Sequence, residues 1–197
     1  MKMLLWRRCF LWLGRIGHCR GFGVQSPTDY RFVRNVIIEK APYYKYEILD
    51  HDYPKLDTVT KKMCKLLFRL SNYCQPRQYI DFGQNNIKVF AAYAKAGCNK
   101  AKLTSGDAVV FNDSFQTPFL VRLSCRNATR ELLQRLLNLS STDSIFVVEG
   151  IKENKEAKSL WQWIKFHDMV TVTYDLYYCG IIITAKRRYK KNYIINF

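Results

Sequence analysis

Residues 78–94, QYIDFGQNNIKVFAAYA, constrain the fold of this chain more than any other stretch. An apolar pair, Tyr79-Ile80, leads into Asp81-Phe82-Gly83, then a polar turn Gln84-Asn85-Asn86, then a helix-like run from Ile87 to Ala94. Strand, acid, glycine turn and helix, in that order, make the βα unit that opens many ligand-binding α/β sheets. Glycine lets backbone approach a ligand closely, and the helix that follows presents free N–H groups. A carboxylate at the strand's end can accept hydrogen bonds from a hydroxyl or amine. One glycine stands where two or three are usual, so an ordinary strand–turn–helix describes the same residues equally well.

The segments on either side continue the alternation. Upstream, Ser26 suits an N-cap, Pro27 a first helical position and Asp29 the positive end of a helix dipole. Phe32, Val33, Val36 and Ile37 supply a buried stripe that ends before Pro42. Tyr43–Tyr46 reads as an aromatic cover on the core, and His51–Asp57 as a polar linker. From Asp57 to Cys74, the apolar residues Met63, Leu66, Leu67 and Leu70 recur at helical spacing, with Lys61, Lys62, Lys65 and Arg69 expected on a solvated basic face. Gly97 is expected to cap the helix after the first strand.

Downstream, strands are expected at Ala101–Ser105, Ala108–Phe111, Phe119–Leu123 and Ser144–Glu149, the last a continuous apolar run suited to a central parallel strand. Helices are expected at Thr129–Leu139 and Lys155–Phe166, and Val170–Tyr174 with Gly180–Thr184 as an antiparallel hairpin. The expected architecture is an α/β sandwich, Rossmann-like, with helices on both faces of a mostly parallel sheet. Residues 1–56 form a helical extension packing on the core, and residues 57–197 the α/β domain.

Net charge is +16 over 197 residues, a field that favours nucleic acid, anionic lipid or anionic small molecules. Seven cysteines are widely spaced with no CxxC, and three histidines are scattered, so no metal site is expected and free thiols in a reducing cytoplasm fit the pattern. The opening MKMLLWRRCFLWLGRIG is broken by Arg7-Arg8 and Arg15, and no run approaches the ~18–20 apolar residues of a membrane span. As a helix it places Trp6, Phe10, Leu13 and Ile16 on one face. That face suits docking on the domain, or lying on an anionic membrane surface.

Phe22-Gly23-Val24-Gln25-Ser26-Pro27, Leu66-Leu67-Phe68-Arg69-Leu70, Ile145–Ile151, Thr171–Gly180 and Lys190–Phe197 carry a further likeness. In this combination the chain resembles a family of small bacterial class I S-adenosylmethionine-dependent methyltransferases over most of its length. The resemblance implies a seven-stranded sheet whose last strand is antiparallel, and S-adenosylmethionine at the carboxyl edge of strands one and two. Asp81 and Gly83 match the acid and first glycine of the cofactor loop, and Asn85 lies within it. The loop's second glycine falls near Ile87 and is lost. The ribose-binding acid aligns near Ser105, with Asp107 as a displaced substitute. The family's acid and histidine after strand four fall among Leu123–Asn127 and are missing, and of a strand-five acidic pair Glu149 remains as the catalytic candidate.

Two functional readings follow from the resemblance and the charge taken together. One is methyl transfer to an unidentified acceptor, with activity reduced or lost. The other is a non-catalytic binding or scaffold role for a basic surface, toward nucleic acid or anionic lipid. Arg7, Arg8, Arg15, Lys61, Lys62, Lys186, Arg187, Arg188, Lys190 and Lys191 are the candidate contacts for the second. The expected location is the cytoplasm, or its membrane periphery.

Overall fold

A computed structural model describes residues 10, 12–106, 116–141, 143–185 and 189–197. Seven strands form one sheet: β1 Gln78–Phe82, β2 Lys102–Ser105, β3 Phe119–Ser124, β4 Ile145–Glu149, β5 Val172–Asp175, β6 Cys179–Ile183 and β7 Lys191–Ile194. Their order across the sheet is β2-β1-β3-β4-β6-β5-β7. The neighbours β2, β1, β3 and β4 run parallel, β6 runs antiparallel to both β4 and β5, and β7 returns parallel to β5. A seven-stranded sheet was expected with its last strand reversed. Here the reversed strand is the sixth, and a further strand closes the edge. The hairpin of β5 and β6 appears as expected. The strand expected at Ala108–Phe111 lies outside the described residues.

The helices are α1 Pro27–Phe32, continuing as a π-helical turn to Ile37, α2 Tyr44–Asp52, α3 Thr58–Cys74, α4 Ile87–Gly97, α5 Arg130–Leu139 and α6 Lys155–Phe166. Four of these helices, α1, α3, α5 and α6, have starts fixed by side chains that accept the first free N–H groups: Ser26, Asp57, Thr129 and Asn154. Because side chains alternate along a strand, each central strand feeds two cores. Ile145 and Val147 of β4 join α1–α4 on one face, while Phe146 and Val148 join α5 and α6 on the other. The apolar run of β4 is thus buried on both sides, which is why it lacks alternation.

Four expectations are revised. The linker expected at His51–Asp57 overlaps a helix, since α2 runs on to Asp52. The basic face of α3 is largely engaged. Arg69 is buried and donates from Nε to the Val36 carbonyl at 2.6 Å and from Nη2 to that of Ile37 at 2.9 Å, capping the end of the π-helical turn. Lys61 and Lys65 both reach Asp50, and Lys62 lies 4.3 Å from the centre of the Phe197 ring. The N-terminal segment also docks by the opposite face from the one its apolar pattern predicts. Arg15 turns inward, while Phe10, Leu13 and Ile16 are exposed; Trp6 lies outside the described residues. Gly97 stands where α4 meets α3, and a side chain there would overlap the carbonyl oxygen of Phe68. Close approach, rather than a left-handed cap, sets that glycine.

Candidate functional site

The parallel register of β1, β3 and β4 brings three charged side chains together at the carboxyl ends of adjacent strands. Asp81 pairs with Arg122, and Arg122 with Val147, two residues before Glu149. Tyr79, Asp81, Arg122 and Glu149 therefore share the sheet face covered by α3 and α4. Arg122 is 1% exposed, although it sits in the otherwise apolar sequence FLVRLS. A buried cation is tolerated only when its donors are all met and its charge is balanced.

Each of its three nitrogens has an acceptor, and two carboxylates face its charge. Nε of Arg122 donates to Oε1 of Glu149 at 2.7 Å, and Nη2 to Oε2 at 3.1 Å. Nη2 also donates to the carbonyl of Asn85 at 2.8 Å. Nη1 donates to both carboxylate oxygens of Asp81, at 2.8 and 3.0 Å. These five contacts engage all three guanidinium nitrogens, with one Nη1 N–H shared between the two oxygens of Asp81. The guanidinium carbon also lies 3.6 Å from the centre of the Phe90 ring, which α4 supplies.

Asp81 is equally committed. Its Oδ1 accepts from the Gly83 backbone N–H at 2.8 Å and its Oδ2 from the Tyr79 hydroxyl at 2.7 Å, beside the two bonds from Arg122. Burial, followed by the charge of Asp81, holds the Tyr79 hydroxyl well above its ordinary range, so it remains a donor. Glu149 has one cationic partner, shared with Asp81. Burial raises its carboxyl above the ordinary value, and Arg122 offsets that only in part. Conversely, burial works against the charge of Arg122, but Glu149 and Asp81 outweigh it and hold the guanidinium protonated.

Four of the five expected site residues are thereby located. Asp81, Gly83, Asn85 and Glu149 do converge, but around a side chain of the protein itself. Asn85 takes part through its carbonyl, so its side-chain identity is not what the cluster uses. Asp107 lies outside the described residues. A Cβ on Gly83 would overlap the Arg122 guanidinium, so the cluster itself requires a glycine there. Arg122 itself was missed. The available signal was a lone cation inside a buried strand, which demands acids on neighbouring strands.

S-adenosylmethionine, expected against Asp81 and Gly83, does not fit these residues. The acid has no acceptor position left, and a guanidinium opposes the cofactor's sulfonium and ammonium charges. An open depression of about 450 Å³ lies elsewhere, lined by residues that include Cys125, Arg130, Lys155 and Ser159. Burial pushes the Cys64, Cys74 and Cys125 thiols up to about 12, which leaves them protonated at neutral pH. Neither a scan against protein-family models nor a search of curated proteins returned a match for this chain.

Proposed function

We propose that this chain is a class I methyltransferase-like protein that no longer transfers methyl groups and works as a binding or scaffold protein. The observation that carries the reading is Arg122, whose three guanidinium nitrogens are all engaged, by Asp81, Glu149 and the Asn85 carbonyl. The resemblance assigns Asp81 and Gly83 to a cofactor loop, and here both are closed around an internal cation. Removing that cation to admit a cofactor would leave two buried carboxylates facing one another, at a cost of several kcal/mol. Cofactor binding would have to repay this cost before any methyl transfer.

Thermal unfolding and calorimetry with S-adenosylmethionine or S-adenosylhomocysteine at millimolar concentration test the reading. A ligand that binds the folded state raises its melting temperature. No shift and no heat are expected. A saturable shift with either compound would overturn the proposal.

A further inference from the structure

Residues 12–22 combine two opposite characters. Arg15 is their inward side: Nη2 donates to Oδ1 of Asp175 at 2.5 Å, and Nη1 to the carbonyls of Asp175 and Ile195 at 3.2 and 3.1 Å. Asn196 adds a backbone bond to the His18 carbonyl at 3.0 Å and a side-chain bond to that of Trp12 at 3.1 Å. The segment is therefore fastened along the end of β7. Its outward side is apolar. Trp12 is 50% exposed, Leu13 54%, Ile16 56% and Phe22 75%, with Ile194 of β7 also exposed beside the attachment. Side chains that large are normally what an amphipathic segment buries against its own core. Here the cation docks and the apolar face is turned away.

The two stretches of sequence that meet at this attachment carry charge of one sign. Residues 1–28 contain Lys2, Arg7, Arg8, Arg15 and Arg20 and no Asp or Glu. Residues 176–197 likewise contain cations and no Asp or Glu. Asp175, the nearest acid at the attachment, is neutralised by Arg15 and by Lys152 at 2.7 Å. Arg20 in the segment and Lys191 in β7 are both exposed. We infer that residues 12–22 form a docking face for an anionic phospholipid surface, with Trp12, Leu13, Ile16 and Phe22 entering the headgroup boundary and the cations held at the phosphates. Exposed Trp, Leu, Ile and Phe side chains in a segment that also exposes Arg20 match that surface in both polarity and charge. No helix among the described residues is long and apolar enough to cross a membrane. The attachment is accordingly peripheral and reversible. It names the partner of the binding role proposed above.

Co-sedimentation of the 197-residue chain with vesicles tests this, comparing phosphatidylcholine alone with phosphatidylcholine mixed with phosphatidylglycerol. The parent is expected to partition onto the anionic vesicles, less so as salt rises, and poorly onto the neutral ones. Trp12→Ser combined with Phe22→Ser is expected to lower that partition about tenfold or more while leaving the urea midpoint unchanged, because both side chains are exposed. Arg20→Glu is expected to weaken binding to anionic vesicles and leave the midpoint unchanged. Equal partition of the double variant and the parent would overturn the inference. So would failure of the parent to bind anionic vesicles, tighter binding to a DNA duplex than to those vesicles, or a parent dimer that the double variant dissociates. Cofactor does not enter any of these readouts, so failure here leaves the reading of the Arg122 cluster standing.

Discussion

At the scale of single residues, Arg122 converts what the motif presents as a ligand loop into a closed electrostatic unit. Arg122→Met keeps much of the side chain's volume but removes its charge, leaving Asp81 and Glu149 buried together. Breaking a buried ion pair from one side costs about 3–5 kcal/mol, so the urea midpoint of this variant should fall steeply. Asp81→Asn should approach that cost, since Asp81 accepts four hydrogen bonds. Glu149 behaves differently. Its carboxyl is raised by burial above the ordinary value of 4.5. A folded-state pKa above the unfolded one means that Glu149 adds stability at pH below about 4.5 and loses that contribution as pH rises through the folded value. Glu149→Gln should therefore cost less at neutral pH than Asp81→Asn and should flatten the decline in stability on the alkaline side of that range. Urea titrations between pH 4 and 8 would show this as a reduced slope. A Glu149→Gln variant as unstable at neutral pH as Asp81→Asn would argue against burial holding the Glu149 carboxyl above its ordinary value. Asp81, Gly83 and Glu149 were legible because they sit at strand ends in a motif. Arg122 was not, because periodicity treats a cation in a buried strand as an exception and does not say which acids on neighbouring strands answer it.

At the scale of elements, the contact between α3 and α4 is set by Gly97. Replacing glycine by alanine at a helical position ordinarily stabilises by roughly 0.5–1 kcal/mol, because less backbone entropy is lost. Here a Cβ would overlap the Phe68 carbonyl oxygen, a backbone atom that cannot rotate away. Gly97→Ala should instead destabilise by about 1–3 kcal/mol, as overpacking does, and the change of sign in denaturant melts is the diagnostic. The sequence conveyed that Gly97 ended a helix but not why, since close approach of two helices leaves no local mark. The same limit explains the other element-level differences. Strands β1, β3 and β4 stand out as short, mostly apolar runs and helices α3, α5 and α6 by helical periodicity, so all six were readable. Helix α2 was read as an aromatic cover and a linker, because its buried residues, Tyr46 and Leu49, are few. Strand β7 has a mostly exposed pattern, and its place is fixed from outside, by pairing with β5 and by the Tyr193 hydroxyl reaching Oδ2 of Asp29 at 3.1 Å.

At the scale of the whole molecule, Asp175 ties distant parts of the chain together. It ends β5, accepts from Arg15 near the beginning of the sequence and from Lys152 after β4, and takes the Tyr177 backbone N–H at 2.9 Å. Burial alone would raise its carboxyl, but Lys152 and Arg15 outweigh that and hold it below the ordinary value of 3.8. A depressed folded-state pKa means that its contribution is present above pH 3.8 and is lost as pH falls through the folded value. Asp50, held down by Lys61, Lys65 and the Tyr93 hydroxyl against the opposing effect of burial, works in the same direction. Acid should therefore weaken the molecule at two places at once, and at Asp175 it should also release the N-terminal segment. Limited proteolysis at decreasing pH, with an acid-active protease, should cut within residues 16–22 before the core strands are attacked. Asp175→Asn should show that early cleavage already at neutral pH and should have a shallower loss of stability on acidification. Cleavage of that segment that is independent of both pH and this substitution would mean that contacts other than Arg15–Asp175 hold the segment to β7.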